Sequence, residues 1–533
     1  MRRSLTTLVA RGMLLALALT HGAGAAPRVV LIGLDGASWN VIDPMVAEGR
    51  LPHIAALIER GIHAELATVE PVISPVVWSS VATGRAPEAH GVGNFFDDSR
   101  DVRVPTVFER LAAQGLKVGA YDWLVSWPPQ ALPGGFVVPG WLRRDETVHP
   151  PDVFARAEVP PYVYTNQGLH SRGEFFETSF RETREKPRRF TALAQHFGID
   201  AGAVCFYAID ALSHRFWAES FPGGFDPEDL RGRGLEEEFR LAVQKGYEAI
   251  DGAVGEVVAS LPPEATVLVA SDHGFEALGS FERRWAFDVE DELARAGLVA
   301  GREAFAFEGQ FGFVIVRVES GPFEEREPLL EKLAAFFGSA RNEAGAPLFN
   351  VVTFDAAERP AGFERPLLER LRQWVYAAAA RLLFSTEFDD EAHARLVMIP
   401  EDDAWESAFP HGRVRLGALE LAAREVVYGD GFTGGHHPTA VFLAAGGAVQ
   451  PLRERQRLSV LDVAPLFLHL AGGALPDDLE GQLREEWLAP GWTAQHPVRR
   501  VSSESIPRLP PPVGPAHGDR VLIERLRSMG YIE

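Results

Sequence analysis

The chain has 533 residues, a formal net charge of −22 and a single cysteine. This length predicts one large domain carrying insertions, or two to three domains. The acidic balance repels polyanions and argues against a nucleic-acid partner, and a site for a small anionic substrate would need its own local positive charge, for which bound metal ions are the natural source.

Residues 1–25 read as a signal peptide. Arg2, Arg3 and Arg11 supply positive charge, residues 13–20 form a short apolar run, and Ala23-Gly24-Ala25 offers a small-residue cleavage site. Export to the periplasm or outside the cell is therefore expected, with an uncleaved anchor as the alternative. Three arginines and no acid leave with this segment, which takes the formal charge to −25. No later apolar run is long enough to span a membrane. The lone Cys205 precludes an internal disulfide and argues against a lipoprotein.

From residue 28 the chain alternates strand-like and helical segments. Residues 28–34 are a continuous apolar run ending in Leu34-Asp35-Gly36, the pattern of a strand buried on both faces. A helix is expected at 54–60. Ser74-Pro75 fits the N-cap and first position of a helix that ends near Gly84. A helix N-terminus carries unpaired N–H groups and partial positive charge, so Ser74 suits a nucleophile as well as a cap. Further strands are expected at 117–123, 203–208, 265–271 and 440–444, and helices at 106–113, 235–261 and 458–471. The alternation predicts an α/β fold with a mostly parallel sheet covered by helices on both faces. Ligands in such sheets gather at the carboxyl ends of strands.

Asp35, Asp210 and Asp272 all fall at such ends. Asp210 and His214 share one face if the chain turns helical there, so both can reach one ion. Ser271-Asp272-His273-Gly274 closes a strand, and Gly434-Gly435-His436-His437-Pro438 leads into the next one. One of those two histidines is expected to be a ligand. Three aspartates, three histidines and one hydroxyl form the inventory of a site holding two metal ions roughly 4 Å apart. Residues 125–187, rich in proline, aromatics and charge, read as long loops. The chain then divides into a core from 26 to 280, an inserted α+β cap-like subdomain from 281 to 427, with helices at 325–337 and 367–383, and a second part of the core with the tail from 428 to 533. A last short helix is expected at 521–529.

In this order the pieces resemble the alkaline phosphatase superfamily, and most closely its type I phosphodiesterase/nucleotide pyrophosphatase branch. The stretch from Ser74 through Thr83-Gly84-Arg85-Ala86-Pro87-Glu88-Ala89-His90-Gly91-Val92 is similar to that branch's nucleophile helix and the signature after it. Val460-Leu461-Asp462-Val463-Ala464-Pro465 adds a later match. The resemblance covers residues 28–275 and 430–475. It implies two divalent ions, zinc or else manganese. Asp35, Ser74, Asp272 and His273 would surround one, and Asp210, His214 and His436 the other. It also implies that Asn94 donates a hydrogen bond to the transferred phosphoryl group, the chemistry expected of a neutral donor facing developing charge.

Three departures limit transfer of substrate preference. The nucleophile is serine rather than threonine, proline follows it directly, and Asn94 lies one residue nearer than the pattern has it. A sulfatase is disfavoured because the C/S-x-P-x-R context is missing. A cofactor-independent phosphoglycerate mutase is disfavoured because the larger insertion lies between His273 and His436. The expectation is hydrolysis of a phosphodiester or pyrophosphate bond in a small phosphate ester. A monoesterase or phosphoryl transferase, with Arg85 as its extra cation, is the alternative within enzymes. A non-catalytic binding protein is the alternative outside them. His90 is expected to be structural.

Overall fold

A computed structural model describes residues 28–161, 172–227, 230, 235, 237–278, 286–287, 289–302, 304–309, 313–353, 393–408, 412–423, 427–428, 432–512 and 522. The expected signal peptide, the expected helix at 367–383 and nearly all of that expected at 521–529 lie outside them. Two compact units emerge, Met1–Ser280 with Thr433–Arg525, and Phe281–Phe432 with Leu526–Glu533.

The first unit is built on an eight-stranded sheet. Its strands are β1 (Val29–Leu34), β2 (Ile62–Ala67), β3 (Val118–Trp123), β4 (Phe136–Pro139), β5 (Ala201–Phe206), β6 (Thr266–Ala270), and two later strands that follow the short β7 (Gly274–Ala277) and β8 (Gly434–His437). Those two are β9 (Thr439–Ala445) and β10 (Gln456–Ser459), and the spatial order is β10-β2-β9-β6-β1-β5-β3-β4. β9 runs antiparallel to both neighbours, and every other pair is parallel. The fold is thus the expected α/β class, and the one reversed strand has a use. Because β9 runs backwards, its start lies at the edge where its antiparallel neighbours β2 and β6 end, with Thr439 opposite Ala67, the last residue of β2.

Every residue of β1 and β5 is buried, as expected of strands covered on both faces. Gly33 has no room for a side chain, since a Cβ there would stand 2.7 Å from Cys205 Sγ and 2.8 Å from the Trp78 ring. The covering helices include α1 (Trp39–Ala47), α2 (Pro52–Arg60), α3 (Ser74–Thr83), α4 (Val107–Ala113), α5 (Arg172–Phe197), α6 (Ala208–Ser220), α7 (Ala242–Ala259) and α8 (Val463–Leu470). A reciprocal Thr106–Glu109 capping box starts α4.

The 26-residue α5 corrects the expected loop over 125–187, as do β4 and a short helix at Val153–Arg156. The buried stripe of α5 includes Phe175, Ser179, Thr183, Lys186, Phe190 and Leu193, spaced as one helical face. Three of its members are polar, which hides the period. Ser179 and Thr183 satisfy their hydroxyls on the carbonyls of Phe175 and Ser179, one turn back. Pro187 sits inside the helix without ending it.

The second unit is α+β. A four-stranded antiparallel sheet runs in the order Phe349–Thr353, His393–Pro400, Phe313–Glu319, Ala304–Gly309. Helix Arg326–Gly338 buries Leu329, Leu333 and Phe337 in a core shared with Val316, Leu396 and Trp405 of that unit. Among the described residues no helix is long and apolar enough to cross a membrane.

Candidate metal centre and nucleophile

Three adjacent strands deliver carboxylates to one edge. Leu34 pairs with Phe206, and Gly33 pairs with Ala270, so the residues just beyond β1, β5 and β6 share the carboxyl edge of the sheet. Asp35 follows β1, Asp272 follows β6, and Asp210 occupies the first turn of α6, which starts just after β5; all three are fully buried. Gly36 turns the chain away with φ +70°, and a Cβ there would meet the Phe275 ring at 2.7 Å and Asp210 at 3.0 Å. Only glycine supplies both that conformation and that clearance. Its N–H donates to Asp272 Oδ1 at 3.2 Å.

The histidines arrive from two directions. His214 lies one turn after Asp210 on α6, and its Nε2 is 3.4 Å from Asp210 Oδ1. β8 pairs antiparallel with β7, with His436 opposite Phe275. That register turns His436 toward the cluster, with Nε2 3.5 Å from Asp210 Oδ1 and 3.0 Å from His214 Nε2. The His437 Nδ1 instead accepts from the Thr439 N–H. The His273 Nε2 stands 3.3 Å from Asp272 Oδ2 and 3.7 Å from both Asp35 Oδ1 and Asp210 Oδ1. The rings of His273 and His436 stack at 3.6 Å.

All three imidazoles are oriented alike. Their Nδ1 atoms lie 2.7–3.1 Å from the carbonyls of Gly434 (His214), Gly274 (His273) and Val72 (His436). A carbonyl can only accept, so each Nδ1 carries a proton and each neutral ring turns its Nε2 lone pair inward. Two such lone pairs face each other at 3.0 Å between His214 and His436, which requires a proton or a cation. Asp272 Oδ2 and His273 Nε2 are buried without a hydrogen bond.

Electrostatics point the same way. Burial, then the charges of Asp272 and Asp210, push the Asp35 carboxyl well above the usual carboxylate range. Burial and Asp210 raise Asp272 to about 7. Burial also acts on Asp210, but His214 and His436 outweigh it and hold that carboxyl well below its ordinary value. His273 is driven well down by burial and by His436. Protein groups alone thus favour the protonated form of Asp35 and hold Asp272 near 7, two carboxyls whose charge is left uncompensated. Divalent ions would compensate the buried charge. The donors fall into two groups, Asp210 with His273 and His436, and Asp35 with Asp272 and His273, each with its ligand atoms within 4.8 Å of one another. His273 thus touches both groups, whereas the resemblance assigns it to one.

Ser74 is fully buried. It is the first residue of α3 rather than its N-cap, a place taken by Ile73. Its hydroxyl donates to Asp35 Oδ1 at 3.3 Å instead of capping the helix. Trp78, one turn on and not anticipated, donates its indole N–H to Asp35 Oδ2 at 2.9 Å. The i, i+4 spacing from Ser74 was the available signal. The first turn of α3 also has fewer spare N–H groups than expected. Pro75 has none, and those of Val76 and Val77 both return to the Ile73 carbonyl.

Asn94 sits in a loop, where its Oδ1 accepts from the Phe96 N–H at 2.8 Å. Arg85 is far from Ser74, at the other end of a helix about 15 Å long. It pairs with Glu480 at 2.7 Å and Asp478 at 3.7 Å, so it is not the extra cation considered from the sequence. His90 is fully buried beneath α3. Its Nδ1 accepts from the Val92 N–H, so Nε2 carries the proton and donates to Ser80 Oγ at 3.0 Å. Burial lowers its pKa from the ordinary 6.5 to about 4. The folded state therefore resists protonation more than the unfolded one, so this contribution is complete above about pH 6.5 and is lost as pH falls toward 4. In metal-free protein, the stability lost between about pH 7.5 and 4.5, read by urea unfolding, should be smaller in His90→Gln.

A buried acid–histidine cluster at the carboxyl edge of an α/β sheet, beside a serine at a helix N-terminus, suits a hydrolase of phosphoric esters, and the family match gives that class. The type I phosphodiesterase/nucleotide pyrophosphatase model matches residues 29–332, more than half of the chain, and the chain belongs to that family. No curated protein matches the chain. Among solved structures it is similar to murine ectonucleotide pyrophosphatase/phosphodiesterase 5 in complex with AMP, at 13% identity over 87% of this chain and 100% of that one, with a TM-score of 0.40. Phosphonoacetate hydrolase from Sinorhizobium meliloti, in complex with phosphonoformate, is 14% identical over 84% of this chain and 99% of that one, with a TM-score of 0.38.

Proposed function

We propose that the protein cleaves phosphodiester or nucleotide pyrophosphate bonds of small substrates with Ser74 as nucleophile. The observation that carries this is the Ser74 hydroxyl, aimed at Asp35 inside the cluster rather than used as a helix cap. Asp35, Ser74, Asp272 and His273 are assigned to one divalent ion, and Asp210, His214 and His436 to the other, with zinc favoured by the mixed imidazole and carboxylate donors. When bound, such ions supply Lewis acidity that favours the serine alkoxide and offsets charge on the phosphoryl oxygens.

Ser74 Oγ gives up its proton and attacks phosphorus in line, forming a Ser–O–P ester while the bond to the leaving oxygen breaks and that oxygen departs with a proton. Water then attacks phosphorus, the Ser–O–P bond breaks, and Ser74 regains a proton. With the Val76 and Val77 amides of α3 committed to Ile73, and none on Pro75, the neutral side-chain donor assigned to the phosphoryl oxygens is Asn94. Its Oδ1 faces the Phe96 N–H, which leaves the amide nitrogen as that donor.

Preference for a diester over a monoester rests on charge. A monoester dianion calls for an added cation, and Arg85 is committed elsewhere. The chain has four lysines, and the one buried in the core unit, Lys186, spends its ammonium on Asp122 and the Cys205 carbonyl. Residues 1–25 are assigned export.

An activity panel tests the whole reading. Aryl diesters, aryl monoesters, nucleotides and sulfate esters are each assayed with zinc and with manganese, alongside metal analysis. Diesters or nucleotides should turn over fastest. Faster monoester hydrolysis would move the protein to the phosphomonoesterases, and a metal-free, inactive protein after zinc addition would make it a binding protein.

A further inference from the structure

One buried ion pair lies just behind the cluster and takes no part in the chemistry above. Lys186 projects from α5, and Asp122 is the penultimate residue of β3; their side chains are 4% and 1% exposed. Besides this pair, the Lys186 ammonium donates to the Cys205 carbonyl at 2.7 Å and stands 4.9 Å from the centre of the Tyr207 ring and 5.2 Å from that of Phe206. The Tyr207 hydroxyl donates to the Asp122 carbonyl. Asp122 itself has φ +57°, in the left-handed region that few residues other than glycine occupy, where the β3–β4 register shifts. Both its carboxylate and its carbonyl are therefore held from outside its own strand.

These links converge on the ends of the strands that carry the cluster. Cys205 and Phe206 are the last residues of β5, and the Asp35 N–H donates to the Phe206 carbonyl at 2.9 Å. Tyr207 is the N-cap of α6, three residues before Asp210 and seven before His214. One ammonium thus ties the end of β3 to the end of β5, next to the first residue beyond β1. A buried charge is an unfavourable way to gain stability, since an apolar pair of similar volume often does as well. Its use is to fix geometry, here the entry angle of α6 and the height of the β5 terminus against Asp35.

We infer that Lys186, with Asp122 and Tyr207, is a positioning residue that sets the placement of Asp210 and His214 relative to Asp35. This rests on the proposed two-metal site. Partners hydrogen-bonded directly to a metal ligand change metal affinity or activity by about 10–100-fold; Lys186 acts one link farther out, so an effect at the low end, about 10-fold, is expected.

The test uses the full-length protein. Lys186→Met should lower kcat at saturating zinc by about 10-fold and weaken zinc binding by a similar factor, with KM changed less than about threefold. Tyr207→Phe, which keeps the ring and removes only the hydroxyl, should shift both quantities in the same direction by less. The double variant should lose less than the product of the single losses, because both act through Asp122. A lowered Tm with kcat and zinc affinity within about twofold of wild type would overturn the inference. If Lys186→Met does not fold, Tyr207→Phe decides alone: unchanged kcat and zinc affinity would overturn it. Failure of the two-metal reading looks different, because wild-type protein would then bind no zinc.

Discussion

Ser74→Ala is expected to lower kcat by about 10⁴–10⁶-fold, the range seen when a covalent nucleophile is removed, while zinc content stays near that of wild type. The separation of the two readouts follows from the geometry. Ser74 meets the cluster through one hydrogen bond to Asp35 Oδ1, whereas Trp78 holds the other oxygen of the same carboxylate and Gly36 holds Asp272. Removing the hydroxyl leaves every imidazole with its Nδ1 on a backbone carbonyl. The small buried space opened by losing one oxygen lies at the start of α3, where Val76 and Val77 are anchored on Ile73, so the helix should keep its place. Steady-state kinetics on an aryl diester and zinc analysis of the same sample check both halves. Undiminished turnover would reject Ser74 as nucleophile, and loss of zinc together with turnover would make it chiefly a ligand.

The sequence exposed those parts of the fold and site that rest on local pattern. An unbroken apolar run closed by aspartate reads as a buried strand ending at a crevice, and Asp35 and Asp272 both stand at such ends. Asp210 and His214 were visible through helical spacing. What stayed hidden depends on distant partners. Whether Ser74 caps its helix or faces a carboxylate is decided by Asp35, on another strand. Three polar residues on the buried face of α5 masked its period, and their burial is tolerated because two hydroxyls bond one turn back and one ammonium finds Asp122 and Cys205. No spacing along the chain announces that ammonium's partners. The reversed direction of β9 was also invisible, because an apolar run reads the same in either direction. Yet that reversal brings His436 to the edge where the aspartates sit.

The adjacent pair His436-His437 yields the second large effect. His436→Ala should lose one of two bound zinc ions, or weaken it by at least about 100-fold, whereas His437→Ala should retain both. Successive residues of a strand point to opposite faces, and β8 is paired with β7 so that His436 lies opposite Phe275 and His437 opposite Gly274. His436 closes on Asp210 and His214, while the Nδ1 of His437 is spent on the Thr439 N–H. His436 is also the most accessible of the cluster histidines, at 17% exposure, so its removal opens the site to water without unseating the others. The zinc affinity should in addition fall with acidity. Burial and Asp210 raise Asp272 to about 7, so below that pH the metal-free carboxyl holds a proton that metal must displace, and each such proton costs about tenfold in affinity per pH unit. Isothermal titration with zinc at pH values on either side of 7, for wild type and both variants, reads all of this in one series. Retained zinc in His436→Ala with loss in His437→Ala would mean that the strand register is off by one residue, and the ligand would then be His437.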